Sequence, residues 1–238
     1  MGLMSKYRGI LLDFYGTLAR ATRRFSIEEA LAEHGYVLAP EALDKWFSGG
    51  LDGDDHVAAS LSREHYVMYQ LEHTYRMLTE SDIHPDEHAM IAEELRIGAA
   101  TRVLEAYDEV PGVLAQLRDA GLKLVVCSNW DWDLAEAVED SGLTEAVDLL
   151  ISSAWVGVRK PNQRIYTHTL SKAALEPEQV LFVGDTWGAD VEGPIAAGMT
   201  PVYLRRDGHW PDSTCPHDEP RGRGVTVAPD LSAILDLI

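Results

Sequence analysis

Arg8-Gly-Ile-Leu-Leu-Asp13-Phe14-Tyr15-Gly16-Thr17-Leu18 is the stretch whose reading decides the fold. Ile10-Leu11-Leu12 is apolar without alternation, the pattern of a strand buried on both faces. The run stops at a carboxylate, Asp13, and a glycine turn follows. Ligands of open α/β sheets bind at the carboxyl ends of strands. Asp13 therefore falls where a nucleophile or a metal ligand belongs, and Gly16 lets the backbone turn tightly beside it.

The second half of the chain supplies the rest of such a sheet. From about Val110 the pattern alternates: helix over 111–120, strand over 122–127, helix over 133–141, strand over 147–151, helix over 163–174, strand over 180–183, helix over 191–197 and strand over 201–204. Gly193-Pro194 is expected to kink the 191–197 helix. A short strand over 225–227 and a helix over 230–238 close the domain, after a loop over 205–224. Strands alternating with helices of this length imply a parallel sheet.

Between Leu18 and Val110 the pattern is helical. Ser26-Ile-Glu-Glu29 reads as a capping box with Gly35 as its stop. Pro40 opens a second helix around Leu43, Trp46 and Phe47, closed by Gly49-Gly50. A third spans about 54–78, and a fourth runs from Pro85 through Val103 and Leu104. No strand is expected there, and the stripe Tyr66, Tyr69 and Tyr75 reads as core of this helical unit.

Each inner strand after the first also ends in reactive groups. The second ends at Ser128-Asn129, the third is followed by Gly157-Val-Arg159-Lys160-Pro161, and the fourth by Gly184-Asp185-Thr-Trp-Gly-Ala-Asp190. With Asp13 this puts three carboxylates, a hydroxyl and a lysine on one sheet edge. Mg²⁺ suits one or two carboxylates plus water and substrate phosphate. A lysine ammonium neutralises charge on a nucleophile and a transferring group, while hydroxyl and backbone N–H groups hold phosphoryl oxygens.

The ordered set Asp13-x-Tyr-Gly-Thr17-Leu, Ser128-Asn, Lys160-Pro and Gly-Asp185-x4-Asp190 resembles the four motifs of the haloacid dehalogenase (HAD) superfamily, subfamily I. The resemblance implies a Rossmann-like α/β core over 1–19 and 107–238 and an inserted alpha-helical cap domain over 20–106. It implies that Asp13 is the nucleophile and that Thr17, Ser128, Asn129 and Lys160 line the transferred group, Lys160 also holding the aspartate. Mg²⁺ would be held by Asp13, Asp185, Asp190 and the backbone carbonyl of Tyr15.

The match departs from the family's phosphatases at Tyr15, where they carry a second aspartate as general acid/base. A phenol, whose unperturbed pKa is about 10, is a poor proton shuttle near neutrality. The 2-haloacid dehalogenases of the family carry Tyr there, because halide leaves without a proton. Their fourth motif, however, lacks the metal-binding Gly-Asp, and the cap stretch Asp44-Lys45-Trp46-Phe47 holds no arginine at their halide-binding position. Both features fit a Mg²⁺-dependent hydrolase acting on a small phosphorylated molecule with a good leaving group. The alternatives are a 2-haloacid dehalogenase, or a non-catalytic homologue that binds a ligand or partner.

Composition bounds the remaining classes. There are 39 acidic residues against 20 Lys and Arg, a formal charge of −19, which argues against nucleic acid as partner. No apolar run approaches the ~20 residues of a membrane span, and the first residues show no signal-peptide pattern. A cytoplasmic monomer or homodimer is expected. Cys127 and Cys215 show no metal or disulfide spacing. His209, Cys215 and His217 read as loop composition rather than a zinc site. Trp130, Trp132, Trp155 and Trp187 lie beside the motifs as cleft wall or rim packing, and Arg20, Arg23 and Arg24 as hinge or surface charges.

Overall fold

The computed structural model describes residues 6–23, 25–39, 42, 46, 53–206, 215 and 224–238. The expected second helix across Pro40, Leu43 and Phe47 to Gly49-Gly50 lies outside them, as do Lys45, Arg24, His209 and His217.

Six strands form one sheet: β1 (Gly9–Leu12), β4 (Lys123–Ser128), β5 (Leu149–Ser152), β6 (Val180–Gly184), β7 (Thr200–Leu204) and β8 (Thr226–Ala228). Their order is β5-β4-β1-β6-β7-β8, and every pairing is parallel. The chain is thus an α/β protein with the first strand at the centre. The unbroken apolar run of β1 is explained by its two faces. Ile10 and Leu12 enter one buried cluster, with Leu124, Val126, Leu181 and Val183. Leu11 enters the other, with Val125, Cys127 and Phe182. On the first face pack α4 (Val110–Asp119) and α5 (Leu134–Asp140), through Val113, Leu114, Leu117, Leu134 and Val138. On the second packs α7 (Gln163–Ala173), through Ile165, Tyr166 and Ala173.

The helical segment contains α1 (Ile27–Glu33), α2 (Arg63–Glu80) and α3 (His88–Ala99). Ser26 caps α1 by accepting from the Glu29 N–H, as its capping-box spacing requires. The segment has its own apolar cluster, which includes Leu31, Leu78, Ile91 and Leu95, with Tyr75 packed against it.

Three expectations are corrected. The segment does carry strands: β2 (Ala19–Arg23) and β3 (Val103–Ala106) form an antiparallel ribbon where the chain leaves and re-enters the α/β core. The fourth helix ends at Ala99, so Val103 and Leu104 belong to that ribbon. Tyr66 and Tyr69 turn away from the helical cluster. Tyr66 is buried with Ala154 of α6 (Ser153–Val156), and Tyr69 packs alongside.

The bend expected at Gly193-Pro194 is a π-turn over Trp187–Glu192 running into α8 (Gly193–Ala196). The final helix is a 3₁₀ segment over Leu231–Leu237. No helix of the described residues is long and apolar enough to cross a membrane.

Candidate active site

The strand order assembles the site. Leu12 pairs with Val126 of β4 on one side and with Val183 of β6 on the other. One residue past Leu12 stands Asp13. Ser128 and Asp185, each two residues beyond those partners, arrive on its two flanks. Ser128 donates from Oγ to Asp13 Oδ1 at 2.9 Å. Lys160, from the loop after α6, donates from Nζ to the same oxygen at 2.7 Å and to Asp190 Oδ1 at 2.6 Å. Asp190 is placed by the π-turn, and its Oδ2 accepts from the Thr186 N–H at 3.0 Å.

Gly16 has φ +82°, and a Cβ there would overlap the Asp185 carboxylate. The turn after Asp13 therefore needs glycine twice over, for conformation and for clearance.

Acid is concentrated at this edge. Oxygens of Asp13, Asp185 and Asp190 all lie within 4.8 Å of one another, with Lys160 as the cation bonded among them. Burial works against the Lys160 charge, but Asp13 and Asp190 outweigh it and hold the ammonium protonated far into the basic range. Asp185 is pushed well above the carboxylate range, by burial first and then by Asp13 and Asp190. Asp190 is pushed up to about 6, burial and Asp13 prevailing over Lys160. Three hard oxygen donors this close together are of the type that suits a divalent cation such as Mg²⁺.

The remaining expected site residues fall as follows. Asn129 uses its side-chain amide on the Lys160 backbone: Nδ2 donates to the Lys160 carbonyl at 2.9 Å, and Oδ1 accepts from the Lys160 N–H at 2.7 Å. It thereby locks the lysine loop, which contains the cis Lys160–Pro161 bond, to the Ser128 loop. Thr17 is fully buried, and its Oγ1 has no hydrogen-bond partner among the described residues. Tyr15 is half-buried, its ring 6.2 Å from that of Trp130, which meets Phe14 edge-on at 5.1 Å. Trp187 is core, edge-on to Tyr203.

Several contributing residues carried no signal in the motif reading. Arg206 donates from Nε to the Gly16 carbonyl and from Nη2 to the Thr17 carbonyl, pairs with Glu109 at 2.6 Å and covers the Tyr107 ring. It braces the turn after Asp13 from a loop that composition alone marks as irregular. Asp131, two residues past Asn129, accepts from Tyr66 Oη at 3.2 Å and Gln70 Nε2 at 2.8 Å, both on α2.

Residues 53–57 are laced to the lysine loop. The Gly53 N–H donates to the Lys160 carbonyl, the His56 N–H to the Gly157 carbonyl, and the Arg159 N–H to the Asp54 carbonyl. A Cβ on Gly157 would lie 2.6 Å from Val57 Cα, so glycine is what permits the approach. The helical segment thus docks on two of the loops that carry the site.

Comparison with known proteins follows the same lines. The family model for haloacid dehalogenase-like hydrolases matches residues 7–198. Haloacid dehalogenase-like hydrolase domain-containing protein 3 of Mus musculus is 29% identical over 201 residues, covering 79% of this chain and 77% of its own length. Phosphoglycolate phosphatase of Aquifex aeolicus is 28% identical over 217 residues, covering 87% of this chain and 91% of its own. A haloacid dehalogenase family hydrolase from Deinococcus radiodurans R1, solved with bound phosphate and sodium, superposes with a TM-score of 0.65. It is 22% identical and covers 97% of this chain and 94% of its own, a likeness of fold.

Proposed function

The chain belongs to the haloacid dehalogenase-like hydrolases, and from that premise we propose that it is a Mg²⁺-dependent hydrolase of a small phosphorylated molecule with a good leaving group. The observation that carries the reading is the convergence of three carboxylates, Asp13, Asp185 and Asp190, whose oxygens lie within 4.8 Å of one another beside the Lys160 ammonium. Asp13, Asp185, Asp190 and the Tyr15 carbonyl would hold the ion, which supplies charge neutralisation for the phosphoryl oxygens. Phosphatases among the relatives support the same class.

In this reading the Asp13 carboxylate attacks phosphorus and the bond to the leaving group breaks. Water then attacks phosphorus of the aspartyl phosphate, releasing orthophosphate and restoring the carboxylate. Ser128 and Lys160 both hold Asp13 Oδ1 rather than Oδ2, which distinguishes the two oxygens before substrate arrives. Asn129 acts at one remove, by fixing the Lys160 backbone.

Tyr15 sets the leaving-group requirement. A general acid contributes ~10²–10⁴-fold, so acyl phosphates, phosphoanhydrides and aryl phosphates should react far faster than alkyl phosphates. Residues 20–106 act as a cap over this chemistry, hinged at the β2–β3 ribbon. The proposed setting is the cytoplasm, with a monomer or homodimer acting on small molecules.

The test is a panel of aryl and alkyl phosphates assayed with Mg²⁺ and with chelator. Equal rates on both classes would remove the leaving-group argument. Tyr15 itself favours a second reading, hydrolysis of 2-haloacids, and turnover of those that survives chelator would replace the phosphoryl reading. Trapping of Asp13 by beryllium fluoride separates either enzyme from a non-catalytic binder.

A further inference from the structure

Arginines around the site are generally engaged. Arg102 lies 4.3 Å over the Trp130 ring and 3.8 Å from Asp133, and Arg206 is held by Glu109 and two carbonyls. Arg159 differs. Its backbone is fixed, the N–H donating to the Asp54 carbonyl at 3.0 Å and the carbonyl accepting from the Asn162 N–H at 2.9 Å. Its side chain is not. Nε is buried without a hydrogen-bond partner, and the guanidinium makes no ion pair among the described residues. A buried donor left unmatched costs free energy that an acceptor arriving with a ligand would restore.

The place of Arg159 says which ligand. It precedes Lys160, whose Nζ is on Asp13. Asn129 ties that loop to the 128–133 loop, and Asp131 in the latter is bonded to α2 through Tyr66 and Gln70. Arg159 stands where these three elements converge, and its charge is felt by Tyr66, Tyr69, His56, His73 and Asp131. The acids nearby are already occupied, Asp131 by Tyr66 and Gln70, and Asp54 by Tyr69 Oη at 2.5 Å. A planar fork of donors without a carboxylate of its own, beside the group that holds the nucleophile, is suited to an anion brought by the substrate.

We propose that Arg159 is a specificity-determining residue that receives a second anionic group of the substrate, a carboxylate or a second phosphate, when the first group lies at Asp13. This rests on the phosphoryl-transfer reading for what Asp13 engages, and it narrows the substrate class to small phosphorylated compounds with an anionic tail.

Calorimetry of the full chain with excess Mg²⁺ tests it, using matched non-hydrolysable probes: propylphosphonate, 3-phosphonopropionate and propane-1,3-diphosphonate. One or both of the probes with an anionic tail should bind about tenfold or more tighter than propylphosphonate, and which one wins identifies the tail. In Arg159→Gln that preference should collapse toward one, with partial recovery in Arg159→Lys. Retained affinity for propylphosphonate in the variants is the internal control for a folding defect. Equal binding of all three by the native chain, or a preference that persists in Arg159→Gln, overturns the Arg159 assignment and leaves the phosphoryl reading standing. No binding of any phosphonate, but binding of 2-chloropropionate that Arg159→Gln loses, overturns the phosphoryl reading and keeps Arg159 as an anion receptor. No binding of any of the four overturns both.

Discussion

Lys160 is the residue on which the site's charge depends. Its ammonium is the cation bonded to Asp13 and Asp190, and all three are buried. Breaking a buried ion pair from one side is costlier than never having made it, because the abandoned charges keep their desolvation penalty. Lys160→Met should therefore destabilise the metal-free protein by about 3–5 kcal/mol, measured by urea unfolding, and Mg²⁺ should restore part of the loss. Tyr15 is the converse case, a residue whose chemistry is missing. If its phenol leaves the leaving group unprotonated, Tyr15→Asp should raise turnover of an alkyl phosphate by about tenfold or more relative to an aryl phosphate. An unchanged ratio would show that proton supply does not limit the reaction. Asp13, Ser128 and Asp185 were legible because each closes or follows an apolar run, and Lys160 and Asp190 only through their order among the motifs. The bracing partners were not. Asn129 looks the same in sequence whether its amide meets substrate or the Lys160 backbone, and Arg206 lies nearly 200 positions from the Gly16 carbonyl it holds.

Elements that pair outside the main sheet are the ones the residue pattern hides. β2 reads Ala-Arg-Ala-Thr-Arg, polar enough for a loop, and Val103-Leu104 continues the apolar spacing of α3. Only the ribbon they make together explains either. The docking of residues 53–57 on the lysine loop is equally silent, being carried by backbone bonds and by the space at Gly157. It nevertheless contains a titratable member. His56 Nε2 donates to the Ser153 carbonyl at 3.1 Å, and Nδ1 is buried without a hydrogen bond, 3.4 Å from Asp54. The ring stacks on Tyr69 and lies near Tyr66, and the Arg159 charge adds to the pressure against a proton. Burial, the largest influence, lowers its pKa against the pull of Asp54. A histidine whose folded pKa lies below its unfolded value of about 6.5 contributes fully above that pH and loses stability as pH falls through it. Protection of the amides over residues 53–60, taken relative to their intrinsic exchange rate, should then fall below about pH 6.5, and His56→Gln should flatten that dependence. Exchange that is insensitive to pH beyond the intrinsic chemical rate would assign the docking to the backbone bonds alone.

At the scale of the whole molecule, the parallel sheet gathers buried acid at one edge of a chain that already carries a net charge of −19. Surface charge of that size is softened by solvent and salt, with a Debye length of about 8 Å at physiological ionic strength. The cluster of Asp13, Asp185 and Asp190 is screened far less, and burial first, then the Asp13 and Asp190 charges, drives Asp185 toward its neutral form. Without metal, this edge is a place where the fold holds like charges together and gains nothing in stability from them. Two consequences follow. A divalent cation that binds the folded chain stabilises it by RT ln(1 + [L]/Kd), about 2.7 kcal/mol at a hundredfold excess over Kd. Mg²⁺ should therefore raise the melting temperature at constant ionic strength, where Na⁺ does not. Asp185→Asn removes the acid whose ionised form burial and the Asp13 and Asp190 charges disfavour in the folded state, so it should raise the melting temperature of the metal-free protein while abolishing most of the Mg²⁺ increment. Calorimetric scans of the two proteins, each with chelator and with Mg²⁺, give four melting temperatures. If the substitution lowers the metal-free value and leaves the Mg²⁺ increment intact, Asp185 is a structural acid held by its other partners, and the cation must be sought elsewhere.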